Sequence, residues 1–386
     1  MKPIPYGRQS ITDDDIKAVV ETLKSDFLTQ GPRIAAFESA FAEYTGSKYA
    51  VAVANGTAAL HLCTLALGVK KGDKVITTPI TFAASANCVR YCGGEVVFAD
   101  INPETYLLDI ESVRHILENN NSGTIKGIIP VDFAGRAVDI VAFRKLADEF
   151  GLWIIEDACH APGGYFNYGK NSQVSCGSGQ YCDLAIFSFH PVKHIAAGEG
   201  GMITTNNEEL YNKLILLRTH GITKLPQLLN ENHGGWYYEM QELGFNYRLT
   251  DFQAALGNSQ LQRADEGLKR RREIAQTYFD AFRGKAFIKR QSGVVPGHAY
   301  HLYIIEVDRR KELYDYLRSK QIFAQIHYIP LHLMPYYRKL GWKPGDFPNA
   351  ENYYRNCLSL PIYPTLSSEE QDYVIDCIFE FYNNSL

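Results

Sequence analysis

The chain alternates short, wholly apolar runs with longer stretches in which apolar residues recur every three or four positions. That spacing predicts a helix over Asp13–Lys24, with Thr12 as its N-cap, and a second over Ile34–Tyr44. A strand–turn–helix unit follows: the run Tyr49–Ala54, the turn Asn55-Gly56-Thr57, and a helix over Ala58–Leu67. Further strands are predicted at Lys74–Thr78, Glu95–Ala99, Lys126–Val131, Leu152–Ile155, Leu184–Phe187 and Gly201–Thr204, with helices at Phe82–Tyr91 and Ile140–Phe150. Short apolar strands alternating with helices predict an α/β fold, a mostly parallel sheet covered on both faces.

Beyond Gln262 the pattern changes. A charged helix over Glu266–Arg283, a strand at Leu302–Val307, a helix at Lys311–Lys320, a strand at Phe323–His327 and a last helix at Ser368–Phe381 predict a small α+β domain. The expected organisation is an N-terminal segment, 1–12, a large domain, 13–262, and a small domain, 263–386. The stretch Gly163–Cys182, rich in Gly, Ser, Asn and Tyr, is expected to be a loop.

Composition narrows the function classes. A chain of 386 residues exceeds one ordinary core, and 46% hydrophobic with 21% charged residues is ordinary for a folded globular protein. The net charge of −4, with no basic block, leaves no electrostatic footprint for nucleic acid or an anionic membrane. No apolar run is long enough to cross a bilayer and no leader pattern opens the chain, so a cytoplasmic protein is expected. The eight cysteines are spread through apolar segments and read as reduced thiols. Cys176 and Cys182 lack a second pair at zinc spacing, so no metal site is expected.

Three segments carry candidate chemistry, each just past the end of a predicted strand, where loops of a parallel sheet converge. At Ala54-Asn55-Gly56-Thr57-Ala58, Gly56 permits close backbone approach, and the amides of Thr57 and Ala58 can hold a phosphate at a helix start. At Ile155-Glu156-Asp157-Ala158-Cys159-His160, Asp157 could cap a helix or pair with a protonated heterocycle; His160 could equally be a satisfied core residue. At Ser188-Phe189-His190-Pro191-Val192-Lys193, a lysine stands on a turn among apolar residues. Desolvation lowers the pKa of such an amine toward imine chemistry, and Ser188 offers a hydroxyl to phosphate. An amine for an aldehyde, a carboxylate for a pyridine and a phosphate cup are together what pyridoxal phosphate requires of a protein.

On these residues the chain resembles the DegT/DnrJ/EryC1/StrS sugar aminotransferases, of the aspartate-aminotransferase-like type I fold. The likeness runs from Leu28-Thr29-Gln30-Gly31-Pro32, through Thr78-Pro79-Ile80-Thr81-Phe82, to His327-Tyr328-Ile329-Pro330. It implies a seven-stranded sheet and a pyridoxal 5′-phosphate cofactor, with the pyridoxamine form as the alternate state. By resemblance Lys193 is the Schiff-base lysine and Asp157 the partner of the pyridine nitrogen. His160 lies beside the ring and Phe82 is stacked on it. Gly56, Thr57, Ala58 and Ser188 form the phosphate cup. Asn246, in Gly244-Phe245-Asn246-Tyr247-Arg248, resembles an asparagine that reaches the phosphate of a neighbouring subunit, which implies a homodimer with active sites at the subunit interface. Tyr6, His327 and Tyr328 resemble positions that line a sugar site, although Tyr328 could pack in the core and His327 could merely satisfy a strand end.

Within the family, SFHPVK, VDFAGRAVD, FNYRLTDFQAALGNSQL and QIHYIP resemble the branch of pseudaminic acid biosynthesis. That resemblance implies amino transfer from L-glutamate to C4 of UDP-2-acetamido-2,6-dideoxy-β-L-arabino-hexos-4-ulose. Other nucleotide-linked 4-keto or 3-keto sugars remain open. A non-catalytic cofactor-binding regulator is disfavoured, because such regulators carry a separate DNA-binding module. Tyr165–Tyr181 departs from the family pattern as extra length between Asp157 and Lys193.

Overall fold

The computed structural model describes residues 2–120, 123–169 and 172–383. A seven-stranded sheet forms the centre: β1 (Tyr49–Val53), β2 (Lys74–Thr77), β3 (Glu95–Phe98), β4 (Ile125–Ile129), β5 (Trp153–Asp157), β6 (Leu184–Ser188) and β7 (Gly201–Thr205), in spatial order β1-β7-β6-β5-β4-β2-β3. Only β7 runs antiparallel to its neighbours, pairing Gly201 with Val53 on one side and with Ser188 on the other. Leu184–Phe187 and all of β7 are buried, as helices on both faces require, and this is why these strands read as unbroken apolar runs rather than alternations.

Four helices matter for the site: α1 (Asp13–Leu23), α2 (Gly56–Ala66), α3 (Asp251–Leu261) and α4 (Ala264–Phe282). α2 starts at Gly56, two residues before the apolar pattern suggests, because the Asn55 side chain caps it by accepting from the Ala58 amide at 2.8 Å. Thr12 caps α1 as expected, in a capping box with Asp15. Beyond α4 a three-stranded antiparallel sheet, β8 (Ile288–Gln291), β9 (Tyr303–Val307) and β10 (Cys357–Leu360), packs with the last helix around a second apolar core that includes Tyr278, Phe282, Ile305, Leu358 and Ile378.

Three expectations need correction. Gly163–Cys182 is not all loop: Tyr165–Asn167 and Gln173–Ser175 form a small antiparallel hairpin, too short for its alternation to stand out. The strand expected over Phe323–His327 is only Ile322–Phe323, paired in parallel with Ile4–Pro5, so the N-terminal residues are stitched to the distal part of the chain. The helix expected from Phe82 begins at Ala84, which leaves the Phe82 ring on a loop and 61% exposed. Among the described residues no helix is long and apolar enough to cross a membrane.

Candidate active site

The ends of β1, β5 and β6 open onto one cavity of about 420 Å³. Its wall contains Gly56, Thr57, Phe82, Asp157, His160, Ser188 and Lys193, together with Tyr6, His327 and Tyr328. Residues from three strand ends, the N-terminal segment and the distal part of the chain therefore converge, as they do outside the carboxyl ends of open parallel sheets.

Lys193 sits on the turn after β6, where its amide donates to the His190 carbonyl at 2.8 Å. Burial lowers the pKa of its amine, opposed by the neighbouring Cys159 and Asp157. Asp157 ends β5, and no helix follows it, so the helix-cap reading fails. Its carboxylate instead accepts from Ser85 Oγ at 2.7 Å and from the Cys159 amide at 3.2 Å.

Burial first, and Lys193 next, hold the His160 imidazole well below the usual histidine range. The Ala134 amide donates to its Nδ1 at 3.2 Å, which places the proton on Nε2, 3.4 Å from the Tyr328 hydroxyl. The His301 ring lies 4.2 Å from the His160 ring and also lines the cavity. His327 is held by Ser359 Oγ at 2.9 Å from its Nδ1, and its carbonyl accepts from Tyr353 at 2.6 Å; burial pushes the imidazole down to about 3. The Tyr6 ring lies 4.9 Å from His327.

The residues present fit pyridoxal phosphate. A Cβ on Gly56 would lie 3.1 Å from the Ser188 Cβ, and one on Gly201 only 2.6 Å from the Asn55 backbone, so these two glycines let the helix start nest against β6 and β7. The nest leaves Asn55, Gly56 and Thr57, at the start of α2, lining the cavity, and the first amides of a helix are suited to cradle a phosphate. Two expected residues lie elsewhere. Ala58 is buried behind the wall with its amide committed to Asn55. Asn246 is exposed, bridged through its backbone to Thr219, and does not line the cavity of its own chain.

Thr81, Ser85, Cys159, Glu199 and His301 also line the cavity and were not singled out from the sequence. Thr81 and Cys159 stood inside motifs already noticed. Ser85 and His301 carried no local signal, since only tertiary contact makes them part of the site. Beneath Asp157, Asp132, Glu156 and Cys176 form a buried cluster whose polar atoms lie within 4.8 Å of one another. Burial first, and then the charge of Glu156, holds the Asp132 carboxyl well above its usual range, and burial raises Glu156 as well. Glu156 also accepts from the Gly177 amide at 3.1 Å and from Cys182 Sγ at 3.4 Å, which ties the long segment after β5 to the sheet. Cys176 and Cys182 are thus buried thiols with structural partners.

Comparison with known proteins agrees with this geometry. Residues 9–379 match the DegT/DnrJ/EryC1/StrS aminotransferase family. The chain is 40% identical to the spore coat polysaccharide biosynthesis protein SpsC of Bacillus subtilis, over 97% of this chain and 96% of that one. It is 36% identical to a UDP-4-amino-4,6-dideoxy-N-acetyl-β-L-altrosamine transaminase of Campylobacter jejuni, with 97% and 96% covered. Among solved structures it is similar to Helicobacter pylori PseC, an aminotransferase of pseudaminic acid biosynthesis, with a TM-score of 0.87, 30% identity, and 99% and 100% covered. It is similar too to the pyridoxal-phosphate form of the sugar aminotransferase Spr1654 of Streptococcus pneumoniae, with a TM-score of 0.88, 29% identity and full coverage of both chains. The chain belongs to the DegT/DnrJ/EryC1/StrS aminotransferase family and is an enzyme that transfers amino groups with pyridoxal 5′-phosphate.

Proposed function

We propose that the protein transfers the amino group of L-glutamate to the C4 keto group of a UDP-linked 4-keto-6-deoxy-N-acetyl sugar, UDP-2-acetamido-2,6-dideoxy-β-L-arabino-hexos-4-ulose, in surface glycan biosynthesis. The observation that carries the reading is the meeting of Lys193, Asp157 and the glycine-opened start of α2 on one cavity. Pyridoxal phosphate, when bound, supplies an aldehyde that takes up amines and a ring that takes up electrons.

The chain's own residues supply the rest. Lys193 anchors the cofactor and, once released, moves a proton at its Nζ as general base and then acid; its lowered pKa suits both roles. Asp157, oriented by Ser85 and the Cys159 amide, offers its carboxylate to the ring nitrogen and keeps that nitrogen protonated. The Gly56 and Thr57 amides with the Ser188 hydroxyl hold the phosphate, while Phe82 and His160 flank the ring. Tyr6, His327 and Tyr328 bind the sugar.

The active unit is a homodimer in the cytoplasm, with Asn246 reaching the partner's phosphate. Large apolar side chains left exposed on one chain support this, among them Leu23, Phe27, Trp236, Met240 and Leu243. The eight cysteines, all unpaired, support a reducing compartment. The second apolar core, whose buried residues other than Ile4 all lie between Ile274 and Phe381, supports dividing the chain, with α3 ending at Leu261 and α4 beginning at Ala264, into the segment 1–12, a large domain 13–262 and a small domain 263–386.

A second reading is the same reaction on another nucleotide-linked keto sugar, favoured by the 40% identity to SpsC against 36% to the altrosamine transaminase. An amino-transfer assay with glutamate against UDP-, dTDP- and GDP-linked keto sugars decides between them. Preferred turnover of the UDP 4-keto sugar supports the first reading, and preference for another sugar supports the second. No turnover of any of them overturns both.

A further inference from the structure

A second cavity, of about 330 Å³, opens between the N-terminal segment and the helices α3 and α4. Polar side chains make up part of its wall: Arg8, Ser10, Thr12, Gln260, Arg263 and Glu266 all contribute. Arg263 is fixed there by Asp15 at 2.6 Å and by the Ser10 carbonyl, so the wall is a built surface rather than a fringe of free side chains. Among the described residues, Lys193 alone lines both this cavity and the active-site cavity.

The reaction gives such a place a use. Turning the amine-bearing carbon of glutamate into the carbonyl of 2-oxoglutarate takes an oxygen from water, and the keto sugar sheds its carbonyl oxygen as water when it takes up the amine. One water enters in the glutamate half-reaction and one leaves in the sugar half-reaction, the second while a nucleotide sugar occupies the first cavity. This rests on the function proposed above.

We propose that the second cavity is a rear entrance to the Lys193 amine, open to water and small solutes and independent of the mouth that takes the sugar. Its volume has room for several waters, and its arginine, serine, threonine, glutamine and glutamate side chains are suited to hold them. Gly267, on α4, is the place to close it. A Cβ there meets only Pro364 Cγ, at 3.4 Å, and Pro364 also lines the cavity, so a larger side chain projects into that space.

The test is carbamylation of Lys193 by cyanate, followed by peptide mass spectrometry of the full-length protein. Cyanic acid adds across an amine N–H with no leaving group. Bound pyridoxamine 5′-phosphate has no aldehyde, so it occupies the cofactor part of the first cavity and leaves Lys193 a free amine. The expected result is that this ligand slows labelling of the unsubstituted protein less than about threefold. In its presence Gly267→Phe slows labelling about tenfold or more, Gly267→Leu less, and Gly267→Ala hardly at all. Gly267→Leu also stands in for the phenylalanine variant should that one not fold.

Full protection of the unsubstituted protein by the ligand, or equal labelling of the alanine and larger variants, overturns the rear entrance. If the ligand does not bind, shown by no cofactor absorbance on the protein, the cofactor reading fails by itself. The rear entrance is then read without ligand, where at least about a twofold drop from Gly267→Ala to Gly267→Phe is expected and no drop overturns it.

Discussion

Ser85 Oγ donates to Asp157 Oδ2 at 2.7 Å across 72 residues of sequence, and both atoms are buried at the floor of the active-site cavity. The hydroxyl thereby sets the rotation of the carboxylate that, on the proposed mechanism, faces the cofactor nitrogen. A hydrogen bond to a charged group is worth about 1.5 kcal/mol or more, roughly tenfold in an equilibrium. Ser85→Ala is expected to weaken pyridoxal phosphate binding and to lower kcat/KM by about tenfold each. Cofactor titration by absorbance, with steady-state assays, measures both. Unchanged values would show that the Cys159 amide alone orients Asp157.

Lys193→Ala is expected to retain cofactor binding through the phosphate cup but to lose the absorbance band of the lysine–cofactor imine and essentially all turnover. On the proposed mechanism one residue serves as both anchor and proton carrier, so no second group can replace it. Near-native activity of this variant with glutamate and a keto sugar would overturn the assignment of Lys193.

Asp157→Asn tests the charge separately from the shape. An amide fits the same space, its oxygen accepting from the Cys159 amide and its nitrogen donating to the Ser85 hydroxyl in place of the present bond, but it cannot hold the ring nitrogen protonated. The expected loss is at least about a hundredfold in kcat, the scale of one well-placed interaction of about 3 kcal/mol, with an unchanged melting temperature. Equal turnover of variant and parent would leave Asp157 with only a structural role.

His327 separates the half-reactions. Its Nδ1 is engaged by Ser359 and its carbonyl by Tyr353, so the ring is pinned at the cavity wall beside Tyr6. His327→Ala is expected to weaken use of the nucleotide sugar while glutamate alone still converts the cofactor to its pyridoxamine form at near the parental rate. Single-turnover absorbance with glutamate, set against steady-state turnover on the sugar, distinguishes these. A parallel fall in both, or in neither, removes His327 from sugar recognition.

Acid should destabilise this protein through its buried imidazoles. Burial pushes His298 and His327 each down to about 3, from an ordinary value of 6.5. Between pH 6.5 and 3 the unfolded chain therefore binds more protons than the folded one, and stability falls as pH falls through that window. Each such histidine contributes up to about 1.4 kcal/mol per pH unit. Denaturant midpoints from pH 7 to pH 4 should drop steeply, and His298→Gln should flatten the slope. A slope unchanged by that substitution would assign the acid sensitivity to other groups.

What the sequence determined by itself was local. Apolar runs marked the central strands because burial on both faces leaves no polar alternation, and glycine, aspartate and lysine at the ends of three of them marked the chemistry. The hairpin after β5 escaped notice, and the strand expected over Phe323–His327 proved to be only Ile322–Phe323, since so few residues establish no period. Only the tertiary structure decided which side chains meet. Strand order and register brought Ser85 to Asp157 and His301 to His160, folded Ile4–Pro5 against Ile322–Phe323, and set Lys193 in the walls of two cavities. Periodicity reports how one element faces solvent. Contacts between elements far apart in the chain depend on how the whole sheet and its covering helices are stacked, and no single segment carries that information.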